Sequence, residues 1–236
     1  MLTMAAGDLH TLGFTTLENI YTTEEIQTIG EQINYSSEGG NISKSEDIFS
    51  IRQLLMHYPR LKEFVFNTRL KQVLKQLPGN EYFVVKSIYF NKPAASNWFV
   101  AYHQDVSISV NEKRSLPGFT HWTVKSQQFA VQPPLHILEG VLTVRIHLDD
   151  TNEDNGALKV MPGTHLNGII MSSGIQQGLP TEVSCNVRAG GIMLMKSLLL
   201  HSSARTTNGR PRRFIHIEFA NEELPDGLQW AERMSI

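Results

Sequence analysis

Residues 141–165, VLTVRIHLDDTNEDNGALKVMPGTH, contain two apolar runs that are each followed by a turn signal. Val141–Leu148 and Leu158–Met161 are short and apolar, and the first is rich in β-branched residues, as strands are. Asn155-Gly156 and Pro162-Gly163 come after them, and such dipeptides mark turns. This stretch therefore predicts short strands joined by tight turns, as in a β-sandwich or barrel.

Runs of the same strand character recur through the chain after residue 80. In the last of them, Phe214, His216 and Glu218 alternate with Ile215 and Ile217, so this run predicts a strand with two different faces. The further predicted strands are Tyr82–Asn91, Glu182–Val187, Gly191–Met195 and Arg213–Ala220.

The first 80 residues have a helical pattern instead. Thr22 and Glu25 have the spacing of a capping box, which marks the start of a helix. Ile26, Ile29 and Ile33 follow at the spacing of one helix face. The other elements expected in this part are a loop at Ser36–Ser43 and short helices at Leu61–Val65 and Leu70–Leu77.

Ser107–Pro134 fits neither pattern, since it is long, mixed in character and interrupted by Pro and Gly. A long irregular segment in a compact domain is typically a functional loop, so we expect a lid here, with a variable surface insertion as the alternative. We expect one α+β, mainly β domain over residues 1–236. Residues 1–80 would give mostly helical support, and residues 81–236 would form the β core.

Composition excludes several classes of protein. A net charge of −2 and 19% charged residues are not those of a strongly basic nucleic-acid binder or a disordered chain. No apolar run is long enough to span a membrane, and Met1–His10 lacks a basic leader, so we expect a cytoplasmic protein without membrane or nucleic-acid partners. Cys185 is the single cysteine beside nine histidines, so any metal site must be built from nitrogen and oxygen ligands.

Three His-x-acid pairs are candidates for such a site. Residues two apart on a strand share a face, so each pair can hold one ion. A second histidine from another strand would complete a set of two histidines and one carboxylate, which leaves open positions as in non-haem Fe(II) oxygenases. Nine histidines and 23 acids among 236 residues give about one such pair by chance. The three pairs are His103-Gln104-Asp105, His147-Leu148-Asp149 and His216-Ile217-Glu218, and periodicity alone does not choose among them.

His201 and Arg212 are eleven residues apart, with the turn signal Asn208-Gly209 between them. They can therefore lie on adjacent antiparallel strands and face one pocket. A guanidinium in such a pocket can bind a carboxylate, such as the far carboxylate of a metal-bound 2-oxoglutarate, through two parallel bonds. The alternative, a solvated basic turn formed by Arg210, Arg212 and Arg213, stays open on spacing alone.

Four groups of motifs, taken in order, resemble the phytanoyl-CoA dioxygenase family of Fe(II)- and 2-oxoglutarate-dependent oxygenases. The resemblance extends over most of the chain and includes its N-terminal entry, its metal-binding motif, its most recognisable turn block and its distal histidine and arginine. The matching residues are Gly13-Phe14 with the helix at Thr22–Ile33; Phe90-Asn91-Lys92-Pro93 before His103-Gln104-Asp105; Leu148-Asp149-Asp150 with Asn155-Gly156-Ala157-Leu158 and Met161–His165; and His201-Ser202-Ser203 followed by Arg212.

The resemblance implies a double-stranded β-helix, a cupin-like jelly-roll barrel with supporting N-terminal helices. It implies the cofactors Fe(II), 2-oxoglutarate and O₂, and hydroxylation of an aliphatic C–H bond in a small molecule with release of succinate and CO₂. The site residues that it implies are His103, Asp105 and His201 for the metal and for catalysis, and Arg212 with Ser203 and Lys92 for 2-oxoglutarate. Two further candidates for contact with substrate are Arg145, where other members often have a different residue, and Trp122, an aromatic residue of the expected lid. The other histidines match no ligand, and His165 would close a tight turn.

Other functions remain open at this point. A Zn²⁺ hydrolase uses the same kinds of ligand, a non-catalytic cupin-like module would bind without turnover, and a degenerate oxygenase would hold metal only. Acyl-CoA esters, amino-acid-like solutes and natural products are substrates within the family, and the fold does not choose among them. We favour a small metabolite, because the sequence has no strong basic cluster for the phosphates of CoA.

Overall fold

The computed structural model of the chain describes residues 2–37, 42–44, 49–79, 81–92, 99–125, 128–170 and 180–236. Within these ranges the chain forms six α-helices and fourteen β-strands. The helices are α1 (Leu2–Thr11), α2 (Thr23–Ser37), α3 (Leu54–His57), α4 (Leu61–Val65), α5 (Thr68–Lys75) and α6 (Leu135–Gly140). The strands are β1 (Phe14–Leu17), β2 (Ile42–Lys44), β3 (Phe49–Arg52), β4 (Phe83–Lys92), β5 (Val100–His103), β6 (Ile108–Val110), β7 (Thr120–Lys125), β8 (Gln128–Gln132), β9 (Leu142–His147), β10 (Leu158–Val160), β11 (Val183–Cys185), β12 (Ile192–Lys196), β13 (His201–Ser203) and β14 (Arg212–Ala220).

Two antiparallel sheets enclose the central cavity. The larger sheet has seven strands in the order β1-β12-β9-β14-β4-β3-β2, and the smaller has four in the order β11-β10-β13-β5. Along the chain the barrel strands β4, β5, β9 and β10 and then β11, β12, β13 and β14 alternate between the two sheets, and β10 and β11 pair with each other within the smaller one. Both sheets contribute residues to the cavity wall. This is the double-stranded β-helix of jelly-roll, cupin-like proteins, so the predicted fold is confirmed.

The alternation predicted for the last strand decides which face of the large sheet meets the cavity. In β14, Ile215 and Ile217 are fully buried in the main hydrophobic core, whereas Phe214, His216 and Glu218 line the cavity. The main core lies between the outer face of the large sheet and the N-terminal helices. Strand periodicity therefore separates a structural face from a functional one.

Helix α2 begins as the sequence predicts. The Thr22 amide donates to Oε2 of Glu25 (2.6 Å), and Oγ1 of Thr22 accepts from the Glu25 amide (3.2 Å). Ile29 and Ile33 on its inner face are at most 1% exposed and belong to the main core. The capping box and the apolar stripe thus direct one face of α2 onto the large sheet.

Residues 1–80 contain the helices α1–α5 and also three short strands that the sequence analysis does not include. Strand β1 pairs with β12, β3 pairs with β4, and β2 pairs with β3, so this part also extends the large sheet at both ends. These strands have only three or four residues each and form because the sheet offers them pairing partners, which local sequence does not show. The prediction of a loop at Ser36–Ser43 is wrong at both of its ends, because α2 extends to Ser37 and β2 begins at Ile42. Residues 38–41 lie outside the described ranges.

The described part of the segment Ser107–Pro134 is not an irregular loop; residues 126–127 lie outside the described ranges. Strands β6, β8 and β7 form a third, three-stranded sheet in that order. The Pro and Gly residues that suggested irregularity stand at its connections, for example Gly118 with a φ of +77° before Phe119. The sheet packs in a second hydrophobic cluster with Phe119 and Trp230. The predicted lid is therefore an ordered sheet.

The C-terminal residues return to β4 on the outer side of the barrel. Met234 forms a β-bridge with Val84, and the carboxylate of Glu232, which is fully buried, accepts from both the amide and the hydroxyl of Ser87 (2.9 and 2.5 Å). None of the helices in the described ranges is both long and apolar enough to cross a membrane.

Candidate metal centre and active site

Two facing strands of the small sheet bring the predicted metal ligands together. His103 ends β5 and is in register with His201, which begins β13, and their rings are 4.3 Å apart between centroids. Asp105 follows β5, with one carboxylate oxygen 3.9 Å from Nε2 of His103 and the other 3.8 Å from Nε2 of His201. One ligand atom from each residue lies within 4.8 Å of the others, so the three can hold a single metal ion.

Hydrogen bonds fix both imidazoles in the orientation that a metal requires. Nδ1 of His103 is 2.9 Å from the carbonyl of Ala101, and Nδ1 of His201 is 2.9 Å from the carbonyl of Leu199. A carbonyl only accepts, so Nδ1 carries the proton in each ring and Nε2 keeps its lone pair toward Asp105. Burial also lowers the pKa of His201 to about 4, which keeps this ring neutral and able to bind metal at pH 7.

The carboxylate ligand is held in its charged form. Burial alone raises the pKa of Asp105, but His201, His216 and Lys86 nearby lower it by more, and the net pKa lies below the ordinary value. The backbone amide of Asp105 donates to the carbonyl of Ser197 (2.9 Å). The carboxylate is thus ionised and anchored, as a metal ligand must be.

Gln104, between the two ligands of the His-x-Asp motif, connects them to the segments around them. Its Nε2 donates to the carbonyls of Leu198 (2.6 Å) and Gly168 (2.9 Å), and its Oε1 accepts from the amide of Ile170 (2.7 Å). The contact with Leu198 ties β5 to the turn that leads into His201. No motif marks Gln104 in the sequence, because its side chain points away from the ligands on either side of it.

A second feature of the cavity is a cationic end centred on Arg212, which is 4% exposed. One guanidinium nitrogen donates to the carbonyl of Gly156 and another to Oγ of Ser203 (3.1 Å), while Nε has no partner among the described residues. Lys92 lies opposite Arg212 in the β4–β14 register and donates to the carbonyl of Ala204 (3.0 Å). The three residues predicted to act together therefore do meet.

Burial has a clear electrostatic effect at this end. Burial, together with the positive charge of Arg145, lowers the pKa of Arg212 to about 9. Burial, together with the positive charges of Arg212 and Arg145, lowers the pKa of Lys92 to about 8. Like charges held this close in a low-dielectric cavity favour the binding of an anion.

Arg145 projects into the same cavity from β9. It is 8% exposed, its guanidinium lies 4.1 Å from the centroid of the Phe214 ring, and its Nε is buried without a partner. Burial lowers its pKa to about 10, while Asp105 raises it. The sequence did not establish whether Arg145 faces the cavity, and the structure shows that it does.

An ion pair that the sequence analysis missed lies on the other side of Asp105. Lys86 donates to both carboxylate oxygens of Glu218 (2.7 and 2.8 Å), and Nε2 of His216 lies 3.2 Å from one of them. Asp105, His216 and Glu218 form another group whose ligand atoms lie within 4.8 Å, but the Lys86 ammonium already neutralises Glu218. The alternation along β14 was the available signal, since it placed His216 and Glu218 on the face of Phe214.

The remaining candidates lie away from the metal centre. Nδ1 of His147 is hydrogen-bonded to Thr151 (2.8 Å), while Asp149 pairs with Arg213, so this His-x-Asp motif is divided between two structural contacts. Trp122, predicted to contact substrate from the lid, packs against the second hydrophobic cluster and is not among the cavity-lining residues of the described chain.

The turn block after β10 is structural. Oγ1 of Thr164 donates to the carbonyl of Met161 (2.7 Å) and accepts from the amide of Leu200 (3.0 Å), directly before His201. Nε2 of His165 lies 3.1 Å from the carbonyl of His10. The block thus fixes the entry to β13 and joins it to α1, in line with the predicted turn.

The predicted metal ligands, the cationic end, Arg145 and the Lys86–Glu218 ion pair border one cavity of about 340 Å³ between the two sheets. Its lining combines the metal ligands, the cationic end, the ion pair and a few apolar side chains. The lining residues are Arg52, Lys86, Ile88, Phe90, Lys92, Val100, His103, Asp105, Arg145, Leu158, His201, Ser203, Arg212, Phe214, His216 and Glu218.

Comparison with known proteins agrees with this geometry. The family model for phytanoyl-CoA dioxygenase (PhyH) matches residues 9–214. The chain belongs to the phytanoyl-CoA dioxygenase family.

Among curated relatives, a phytanoyl-CoA dioxygenase of Arabidopsis thaliana is 23% identical over 186 residues, which are 74% of this chain and 56% of the relative. An ectoine dioxygenase of Bordetella bronchiseptica is 24% identical over 162 residues, 65% of this chain and 46% of the relative. The chain thus spans about half the length of these relatives.

Solved structures show the same fold over nearly the whole chain. The non-haem α-ketoglutarate-dependent epimerase SnoN of nogalamycin biosynthesis has a TM-score of 0.71 at 14% identity, covering 99% of this chain and 94% of SnoN. EctD from S. alaskensis has a TM-score of 0.67 at 19% identity, with 91% and 75% covered. For this phytanoyl-CoA dioxygenase family member, the likeness establishes the jelly-roll architecture around the metal-binding triad.

Proposed function

We propose that this chain is an Fe(II)- and 2-oxoglutarate-dependent dioxygenase that hydroxylates an aliphatic C–H bond of a small molecule and releases succinate and CO₂. The observation that carries the proposal is one cavity with His103, Asp105 and His201 on one wall and the buried Arg212 at its end. Family membership supports it, as does a SnoN structure of the same fold in complex with Fe3+, α-ketoglutarate and nogalamycin RO.

The donor set fits Fe(II). Two neutral imidazole nitrogens and one ionised carboxylate on one side of an ion leave adjacent positions for a bidentate cosubstrate and O₂. Fe(II), when bound, supplies the redox chemistry that couples O₂ reduction and 2-oxoglutarate decarboxylation to C–H oxidation. The protein's own contribution is to hold His103 and His201 by their Nδ1 hydrogen bonds and to keep Asp105 charged.

Arg212, Ser203 and Lys92 fit the distal carboxylate of 2-oxoglutarate. Arg212 is held by Gly156 and Ser203 and still has an unpartnered buried Nε. Burying the two cations Arg212 and Lys92 costs free energy, and a carboxylate bound between them would offset part of that cost. The apolar side chains Val100 and Leu158 border this end and reduce the access of water.

A Zn²⁺ hydrolase is less well supported by the cavity. Such an enzyme needs a general base near the metal-bound water, and the carboxylate next to the centre, Glu218, has both oxygens held by Lys86. In the described chain no other carboxylate lines the cavity except the ligand Asp105, and the one further histidine on its wall, His216, has its Nε2 3.2 Å from the carboxylate of Glu218. A non-catalytic module has no need of the buried Arg212.

An anaerobic titration with Fe(II) and 2-oxoglutarate tests the proposal. We expect a visible metal-to-ligand charge-transfer band that His201→Ala abolishes and that needs a higher 2-oxoglutarate concentration in Arg212→Met. Arg210→Met is the matched control, because Arg210 is an exposed arginine of the same turn and should leave the titration unchanged. The absence of a band in the wild-type protein would refute the oxygenase assignment, and succinate release under Zn²⁺ alone is not expected.

A further inference from the structure

On the basis of the proposed function, we propose that the substrate is a small organic acid whose carboxylate is bound by Arg145. The cavity then has two separate positions for carboxylates. Arg212 would receive the cosubstrate, and Arg145 would receive the molecule that is oxidised.

The first observation is the state of the Arg145 side chain. It is 8% exposed, and in the described part of the chain its guanidinium makes no hydrogen bond or ion pair; its contact is with the face of the Phe214 ring. Buried charged groups are normally paired, because an unpaired one loses its hydration without compensation. A guanidinium left in this state and directed into a cavity is suited to a ligand that supplies the missing acceptors.

The second observation is the charge of the cavity wall. Five cationic side chains line it against two carboxylates, although the whole chain has a net charge of −2. The double charges of Fe(II) and 2-oxoglutarate cancel each other, so the loaded cavity retains a surplus of three positive charges. The cationic side chains are Arg52, Lys86, Lys92, Arg145 and Arg212, and the carboxylates are Asp105 and Glu218. Such a field selects an anionic substrate over a neutral or cationic one.

The third observation is that Arg145 is not held by the hydrogen bonds that position Arg212. It lies opposite His216 in the β9–β14 register, whereas Arg212 lies two residues beyond Phe214 toward the start of β14. Both guanidinium carbons flank the Phe214 ring, at 4.1 Å and 5.3 Å from its centroid. Arg212 is tied to Gly156 and Ser203, and Arg145 shares neither bond. Arg145 thus offers a second, independent fork of N–H donors, which matches one carboxylate.

The cavity also limits the size of the acid. About 340 Å³ lies near the lower end of the range for small-molecule sites, and the cosubstrate takes part of it. Phe90 stacks on Phe214 with centroids 5.0 Å apart, and Ile88 adjoins them on the wall. These side chains provide apolar surface beside Arg145 for a short hydrocarbon skeleton.

The test is a binding experiment without turnover. The anaerobic Fe(II)- and 2-oxoglutarate-loaded enzyme is titrated by calorimetry with the straight-chain acids from butanoate to octanoate and with their primary amides. We expect at least one acid to bind on the order of tenfold tighter than its amide, the effect of one charge-assisted pair. Arg145→Met should remove this preference while the charge-transfer band still forms at the same 2-oxoglutarate concentration.

Two further variants complete the design. Arg145→Lys keeps the charge with a shorter reach and should retain part of the preference for acids, and Arg210→Met should retain all of it. Equal binding of acids and amides, or no binding of any acid, would overturn the inference. So would weaker 2-oxoglutarate binding in Arg145→Met, because Arg145 would then serve the cosubstrate. All of these failures leave the charge-transfer band of the wild-type protein intact, whereas failure of the proposed function removes that band.

Discussion

Arg212 donates to the carbonyl of Gly156 at a point where no larger residue fits. Gly156 has a φ of +81°, and a Cβ added to it would lie 2.5 Å from the carbonyl oxygen of Ala204. The same Ala204 carbonyl accepts from Lys92 (3.0 Å). The sequence marked Gly156 only as a turn signal. The structure shows that it is part of the framework that holds both Arg212 and Lys92 at the cationic end.

The first prediction follows from this contact. Gly156→Ala should weaken 2-oxoglutarate binding in the anaerobic titration and lower the free energy of unfolding by about 1–3 kcal/mol, through backbone strain and the clash with Ala204. Gly209→Ala is the matched control: Gly209 also has a positive φ of +64°, but no atom lies within 4 Å of its added Cβ. If Gly209→Ala weakened 2-oxoglutarate binding as much, the clash would not be the cause.

The second prediction concerns the stability of the empty protein. Arg145→Met should raise the free energy of unfolding by about 1–4 kcal/mol in the absence of metal and cosubstrate, because it removes a buried charge without a hydrogen-bonded partner. The lost contact with the Phe214 ring offsets part of this gain. Urea unfolding of both proteins measures the difference. A destabilised Arg145→Met variant would show that the guanidinium is satisfied within the protein.

The third prediction has the opposite sign for a cation in the same cavity. Lys86→Met should lower the free energy of unfolding by about 3–5 kcal/mol, because it leaves the buried carboxylate of Glu218 without its ion-pair partner. The double variant Lys86→Met with Glu218→Leu should recover most of this loss in the same urea experiment. No recovery would mean that Lys86 stabilises the fold through contacts other than the ion pair.

The fourth prediction concerns pH. Burial raises the pKa of Glu232 to about 7, against hydrogen bonds from Ser87 that lower it. Above pH 4.5 the folded protein therefore retains a proton that the unfolded chain has lost. Because of this difference, Glu232 lowers the free energy of unfolding as pH rises from about 4.5 to 7, and its contribution is constant above pH 7.

Glu232 changes the free energy of unfolding by at most about 1.4 kcal/mol per pH unit. Glu232→Gln should reduce the slope in metal-free protein over that interval, as followed by urea unfolding at several pH values. Glu223→Gln, which alters an exposed carboxylate paired with Arg233, should leave the slope as it is. An unchanged slope in Glu232→Gln would show that Glu232 is ionised in the folded protein at neutral pH.

The sequence predicted the long barrel strands well, because β4, β9, β12 and β14 have enough residues to show their own apolar pattern. It also predicted the three-residue strands β10 and β11, but not β5 or β13, which hold the metal-binding histidines. The sequences of β5 and β13, VAYH and HSS, are short and partly polar, so they lack the apolar strand pattern. Their pairing depends on contacts such as the register between His103 and His201, which are distant in sequence. Tertiary pairing thus decides these elements.

The choice among the three His-x-acid motifs shows the same limit. All three have the right spacing, and what separates them is the partner of each acid in space. Asp149 is taken by Arg213 and Glu218 by Lys86, while Asp105 faces two imidazoles with free Nε2 atoms. Resemblance to a family resolved what periodicity did not, and the ion pairs now give the physical reason.

The alternation along β14 has a consequence for how this protein can diverge. Positions 213, 215, 217 and 219 and positions 214, 216 and 218 lie on opposite faces of one strand, and three of the first set, 215, 217 and 219, belong to the fully buried main core. Substitutions at 214, 216 or 218 can therefore alter which molecule is accepted while the core packing is retained. Directed evolution of a new specificity would begin at these three codons and leave their immediate neighbours untouched.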